Sequence, residues 1–380
     1  MAGRTILVTG VTRFIGSQLA GLLADLPGVD RVIGVDAALP EPSARARMGR
    51  AEFARADIRN PLIARVIDAA KVDTVVHASA SATPASAVAR SMAKEMNVLG
   101  TMQLLAACQR SASVKHLVVR STAAVYGGSS RDPAVLTEGM SARSVPSIGM
   151  ARDAIDIEGY VRGFSRRRPD VRVAVPRFAE IIGPIVRTPL VRYFSMSPFV
   201  PVMAGRDARL QFVHEQDSVA VMRELAMGEF AGIVNVAGAG TITLHQAVHR
   251  AGRVPLPVPS AGLDAVGTVY RLARLRGFSA EQIRLFSHGR VLDTTRLTHD
   301  VGFTPQFTTM EAFDDFARTL KRPVDRSAVR RAEVAAAGVL RVRPEPDSPA
   351  AAAPSGPARP TLISIDGHAG PTRKARSRTR

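Results

Sequence analysis

The sequence predicts an α/β fold built on a doubly wound parallel sheet, with a smaller C-terminal substrate lobe and a disordered basic tail. Three observations carry this. Short apolar runs alternate with longer helix-period stretches through the first half, as in chained βαβ units. The first apolar run leads directly into a glycine-spaced turn and a helix. From about Thr188 prolines break the rhythm, and beyond about Pro323 the apolar periodicity is lost.

Taken in order, strands are predicted over residues 6–9, 31–35, 52–54, 74–77, 115–121 and 171–175. Helices are predicted near 14–25, 60–69, 84–110 and 150–168. The run Arg166-Arg167-Arg168 ahead of Pro169 ends the last of these, where positive charge suits the helix dipole. Residues 1–187 then form one domain. Residues 188–322, cut by Pro189, Pro198, Pro201, Pro255, Pro257 and Pro259, form a smaller lobe with some segments interleaved with the sheet. A last helix is expected over 312–320. Residues 323–380 read as a disordered Arg/Pro/Ala-rich tail.

Composition narrows the function. The chain has 380 residues, 46 % of them hydrophobic, which is enough for a sizeable core. Trp is absent and aromatics make up 5 %, which argues against a base-stacking nucleic-acid platform. The one cysteine, Cys108, excludes an intrachain disulfide framework or thiolate cluster. The net charge is +18, and residues 321–380 hold 13 Lys/Arg against 5 Asp/Glu, a net of +8. Nucleic acid is therefore expected only nonspecifically, through that tail. The only i,i+4 histidine pair, His245 and His249, lacks the Glu of an H-E-x-x-H helix and a third ligand, so no metal is expected. No run is long and apolar enough for a membrane span, and the N-terminus enters a strand rather than a leader, so a cytoplasmic location is expected.

The first strand runs into Thr9-Gly10-Val11-Thr12-Arg13-Phe14-Ile15-Gly16. Gly10 suits a tight strand-to-helix turn, and Gly16 lets the helix pack close to the sheet. The helix N-terminus then presents N–H groups to a diphosphate. Twenty residues on, Asp36 ends the second strand. A carboxylate there accepts hydrogen bonds from an adenosine ribose and repels a 2′-phosphate, which favours NAD over NADP. This is the Rossmann pattern.

Further segments follow in order: Ala56-Asp57-Ile58-Arg59, Val75-Val76-His77-Ala78, Asn97-Val98-Leu99-Gly100-Thr101 and Ser121-Thr122-Ala123-Ala124-Val125-Tyr126-Gly127. Arg177, Gly183-Pro184, Phe212-Val213-His214 with Asp217, Val234-Asn235-Val236, Asp293 and Gly302-Phe303-Thr304-Pro305 continue the series. Over roughly residues 4–320 the chain resembles extended short-chain dehydrogenase/reductases of the NAD-dependent epimerase/dehydratase family, UDP-glucose 4-epimerases among them. The resemblance implies NAD bound by Gly10, Arg13, Phe14, Ile15, Gly16 and Asp36. Asp57 and Ile58 would flank the adenine, Ala78 and Ser79 would line the dinucleotide, and Asn97 would support the site. It also implies a nucleotide-sugar substrate and a homodimer paired through helices near 97–110 and 150–166. Arg13 departs from the family, which usually has Gly there; its guanidinium can donate to the diphosphate instead.

At the catalytic end the departures multiply. The family removes a sugar hydroxyl proton with a Tyr helped by a Lys four residues later, while a Ser or Thr hydroxyl holds the substrate oxygen. Thr122 stands at that hydroxyl position. Ile148 stands where the Tyr belongs and Arg152 where the Lys belongs. The tyrosines at 126, 160, 193 and 270 are followed at i+4 by Ser130, Phe164, Ser197 and Arg274, so the chain contains no Tyr-x-x-x-Lys. Arg152 can still donate to a nicotinamide ribose, but it stays protonated and relays no proton. Tyr126 is the nearest alternative base in sequence. Leu210 replaces the family's diphosphate-binding Arg, with Arg209 expected on the opposite strand face. Glu180 replaces an Asn that touches the nucleotide sugar. Two functions follow: an NAD-dependent nucleotide-sugar epimerase or dehydratase with a degenerate site, or a catalytically inactive NAD(H)-binding regulatory or scaffold protein.

Overall fold

The computed structural model describes residues 3–78, 92, 94–143, 149–258, 285–321 and 331. In chain order the first part comprises β1 (Arg4–Thr9), α1 (Phe14–Ala24), β2 (Val29–Asp36), α2 (Pro42–Met48), β3 (Glu52–Arg55), α3 (Ile63–Ala69), β4 (Thr74–His77), α4 (Gly100–Arg110), β5 (His116–Val119), β6 (Ser121–Thr122), α5 (Met150–Arg167) and β7 (Arg172–Phe178). The rest comprises β8 (Glu180–Ile182), α6 (Pro189–Phe194), β9 (Phe199–Met203), β10 (Arg209–Leu210), β11 (Phe212–His214), α7 (Glu215–Met227), β12 (Gly232–Val236), β13 (Ile242–Thr243), α8 (Leu244–Arg250), β14 (Val254–Val258), α9 (Thr295–His299) and α10 (Thr309–Arg318).

The main sheet runs β12-β7-β5-β4-β1-β2-β3, with β6 a further partner of β7, and its pairings are parallel. β4 and β5 are buried at every residue, which is what a strand with helices on both faces requires. Alternation along β1 sends Ile6 and Val8 to one face, with Ile15, Leu19 and Leu23 of α1 and Met222 and Leu225 of α7. Leu7 goes to the other face, with Ile63 and Ile67 of α3, Leu104 and Leu105 of α4, and Val161 and Phe164 of α5. From β1 the chain moves to β2 on one side and later to β4 on the other. The crevice between β1 and β4 is therefore the topological switch point, where ligands of such sheets sit at the carboxyl ends of the strands. β12 brings the chain back from the lobe into this sheet beside β7.

Three two-stranded pairings build the lobe: β8 with β11, β9 with β14, and β10 with β13. An aromatic core joins them to α10. Tyr193 stacks on Phe286 at 4.1 Å, and Phe194 meets Phe313 edge-on at 4.9 Å. Thr308 and Glu311 close a capping box at the start of α10.

The structure revises several expected elements. The strand expected over 115–121 splits at Arg120. The register on both sides sets residue 120 opposite Pro176 of β7, which has no N–H to give the ladder. The helix expected over 84–110 is interrupted by a π-turn, Glu95–Leu99, before α4 begins; residues 79–91 lie outside the described residues. Helices α2, α6, α7 and α9 were not expected. Pro42 in the first turn of α2 marked that start, and His214, whose Nδ1 accepts the Gln216 N–H, caps α7. The last helix starts three residues earlier than expected, at its capping box. The basic run does end α5, and Arg168 does more than suit a dipole. Its Nη1 lies 3.0 Å from the carbonyls of Cys108, Gln109 and Ser111, so it caps the end of α4. Nearly all of the expected tail at 323–380 lies outside the described residues.

Candidate functional site

Gly10 follows β1 at φ +78°, a turn that L side chains rarely make. A Cβ at Gly16 would sit on the Gly10 carbonyl, so α1 leaves the sheet as closely as the motif demands. The N-cap residue of α1, Arg13, is exposed and its side chain makes no capping hydrogen bond. Phe14 is half-buried; Ile15 and Gly16 are buried beneath the first turn. This is an open, positively polarised helix end pointing at the switch point, which suits a diphosphate.

Asp36 ends β2 beside this turn. One carboxylate oxygen accepts the Thr12 N–H at 3.1 Å and the Thr12 hydroxyl at 2.7 Å; the other has a long contact, 3.5 Å, from the Ala38 N–H. Asp36 therefore braces the glycine turn, a link with no signal in the sequence beyond Thr12 itself. Asp57 is gripped by Arg59 through its side chain at 2.6 Å and its N–H at 2.9 Å, which holds the Asp57 carboxyl below the usual carboxylate range. Ile58 and Ala78 are buried at the ends of their segments. Ser79 lies outside the described residues.

Asn97 stands in the π-turn, buried, with its amide nitrogen 3.5 Å from Asp153 on α5. Burial pushes the Asp153 carboxyl up. Behind Asn97 runs a directed chain of hydrogen bonds. The Thr101 hydroxyl donates to the Asn97 carbonyl, so it accepts from His77 Nε2 at 2.9 Å. His77 Nδ1 then accepts from the Thr9 hydroxyl at 2.7 Å. Burial, with the charge of Arg120, pushes the His77 imidazole down to about 4, so it is neutral at pH 7. The chain ties β1, β4 and α4 together under the crevice.

At the expected catalytic end, Thr122 closes β6 and its hydroxyl oxygen accepts the Ala124 N–H at 3.2 Å. Arg152, in the first turn of α5, is paired with Asp156 one turn on at 3.0 Å. Ile148 lies outside the described residues. Tyr126, the nearest alternative base in sequence, is held in a hydrogen-bond network. Its buried hydroxyl donates to Asn235 Oδ1 at 2.7 Å and accepts from Arg177 at 2.9 Å, and burial raises its pKa. Arg177 also makes a two-pronged bond to Glu158 at 2.6 and 2.9 Å, and Glu158 accepts the Ser121 hydroxyl at 2.6 Å. Burial works against the charge of Arg177, and Glu158 overrides it, so its pKa is raised. The network is a fastening of α5 to β6 and β7.

On the lobe side Leu210 is buried and Arg209 exposed, as strand alternation expected. Glu180 opens β8 with its carboxylate 3.8 Å from Arg290, and burial pushes its pKa up. Arg290 itself donates to the Gly127 carbonyl at 2.6 Å. His245 lies 3.0 Å from Asp207. Among the described residues no group of three or more His, Cys, Asp or Glu is gathered to hold a metal ion. None of the described helices is long and apolar enough to cross a membrane.

The model of the NAD dependent epimerase/dehydratase family matches residues 6–237. An uncharacterised protein of Mycobacterium tuberculosis is 46 % identical over 338 residues, covering 88 % of this chain and 90 % of that protein. The structure of UDP-glucose 4-epimerase from Thermotoga maritima with UDP-glucose superposes with a TM-score of 0.65 at 20 % identity, covering 83 % of this chain and 98 % of that one. The Thermus thermophilus UDP-glucose 4-epimerase complex with NAD gives 0.63 at 21 %, covering 84 % and 100 %. Both structures share the fold.

Proposed function

The chain belongs to the NAD-dependent epimerase/dehydratase family, and from that premise we propose that it binds NAD(H) with little or no nucleotide-sugar turnover. The observation that carries the first half is the β1–α1 turn: positive φ at Gly10, no room for a Cβ at Gly16, and an N-cap residue, Arg13, that makes no capping bond of its own. The diphosphate would lie over that helix end, with Asp36 on the adenosine ribose and Asp57 and Ile58 at the adenine. Ala78, Ser79 and Asn97 would line and support the rest. NAD, when bound, supplies the hydride acceptor.

The second half rests on what the chain puts beside it. Thr122 keeps a hydroxyl that can hold a substrate oxygen, and Arg152 keeps a cation for a ribose. Ile148 takes no proton, and Tyr126 is spent on Asn235 and Arg177. Leu210 and Glu180 remove a cation and add an anion where a nucleotide sugar's diphosphate needs the reverse.

Pairing of two copies through α4 and α5 is part of the proposal. Their outer faces leave a groove of about 300 Å³ lined by Met102, Leu105, Ala106, Gln109, Tyr160 and Arg167. Calorimetric titration tests the cofactor: NADH is expected to bind more tightly than NADPH. Equal or tighter NADPH binding overturns the role given to Asp36.

A further inference from the structure

Arg120 has no place in the motif read from the sequence, yet it stands at the carboxyl edge of the sheet, beside the end of β4. It follows β5, and its N–H donates to the His77 carbonyl at 3.0 Å. Pro176 opposite it breaks the ladder to β7 there, so at the carboxyl edge residue 120 is held to the sheet by β4 alone. Its guanidinium Nη1 lies 3.4 Å from the Ala78 carbonyl at the end of β4, and its Cζ sits 5.7 Å over the Phe178 ring. Nε is closed off from solvent without a hydrogen-bond partner. Among the described residues it forms no ion pair within 4 Å; Glu180, the carboxylate whose charge reaches it, is 3.8 Å from Arg290.

A guanidinium carries five N–H donors, and half-burying one with a single long hydrogen bond and its Nε shut off from water is costly unless an anion completes it. Burial, and then the like charge of Arg13, pushes Arg120 down to about 10. Arg13, at the head of the helix that follows β1, and Arg120, at the end of β5, thus stand at the carboxyl edge of the sheet on either side of β4, and their like charges repel. A doubly charged anion between them removes that repulsion and supplies acceptors to both forks.

We propose that Arg120 and Arg13 form a clamp across the crevice that holds a diphosphate, Arg120 from the β5 side and Arg13 from the head of α1. This rests on the NAD(H) reading. A diphosphate reaches this fold from two sources, a dinucleotide or a nucleotide sugar. Arg13 at the head of α1 places the clamp on the dinucleotide.

The test measures binding of NADH, UDP and inorganic pyrophosphate to the wild type, Arg120→Ser, Arg120→Lys and Arg13→Gly, with the melting temperature of each unliganded protein. Arg120→Ser is expected to weaken NADH about tenfold to a hundredfold, with part of the loss restored in Arg120→Lys. Unliganded Arg120→Ser is expected to melt no lower than the wild type, because the serine removes a charge that has no ion-pair partner among the described residues. A purely structural arginine would instead lower that melting point and leave the affinity of the folded protein unchanged, which overturns the clamp. Loss of UDP affinity alone assigns the clamp to the sugar nucleotide. Undiminished binding of both in Arg120→Ser also overturns it. Should the wild type fail to bind NADH, the NAD(H) reading falls. Pyrophosphate then decides: binding that Arg120→Ser abolishes sustains the clamp, and no binding ends it.

Discussion

Asp36 holds Thr12 with one carboxylate oxygen, so a ribose diol has to share it. Asp36→Ala should weaken NADH by about 1–2 kcal/mol, the loss of charge-assisted hydrogen bonds, and should narrow the preference over NADPH. Thr12→Val separates the two roles: the Asp36 carboxylate stays, and the side-chain half of its brace goes. Titration of both variants with both cofactors reads this out. Asp36, Gly10 and Gly16 were legible because each answers a demand fixed by geometry at a fixed spacing. Arg120 was not, because nothing in a strand-like run marks the residue at which the ladder breaks. Only the register against Pro176 does so.

The elements around the site are held by buried polar groups whose charge states set their strength. His77, pushed down to about 4 by burial and by Arg120, and His116, pushed down to about 4 by burial and the charges of Arg172 and Arg4, are neutral when folded. Unfolded imidazoles protonate near pH 6.5. Between pH 6.5 and 4 the unfolded chain therefore binds more protons, and stability falls as the pH drops through that window. The loss is about 3 kcal/mol per histidine once both states are protonated. Denaturant melts from pH 7 to 4 should show this slope, and His77→Gln should reduce it. Glu158 fastens α5 to β6 and β7 through Arg177 and Ser121. Glu158→Ala leaves Arg177 buried without its partner, at a cost of about 3–5 kcal/mol measured by urea unfolding. The strands up to β7 and the helices α1, α3, α4 and α5 could be read from apolar periodicity, and the short strands of the lobe could not. α2 and α7 could not, since α2 is two turns long and α7 begins on a histidine cap rather than Ser, Thr, Asp or Asn.

At the scale of the whole molecule, one sheet carries both the cofactor crevice and, through β12, the base of the lobe. Removal of residues 324–380 should leave the cooperative melting transition in place, because that segment lacks periodic apolar residues to dock. Loss of the transition would make the segment part of the fold. Tyr160, exposed on α5 within the groove beside α4, should lie in the contact between two copies. Light scattering at micromolar concentration should then show a dimer for the wild type and a monomer for Tyr160→Asp.

The central claim is that the protein keeps its cofactor site and has lost its proton acceptor. The most direct measurement compares wild type with Ile148→Tyr/Arg152→Lys, following NADH absorbance against a panel of UDP-, GDP- and dTDP-sugars, with Thr122→Ala as control. Both proteins should bind NADH, and the double variant should transfer hydride roughly 10²–10⁴-fold faster, the usual range for a restored general base. A wild type that turns over one sugar briskly, with the double variant slower, would contradict the account and show that another residue takes the proton.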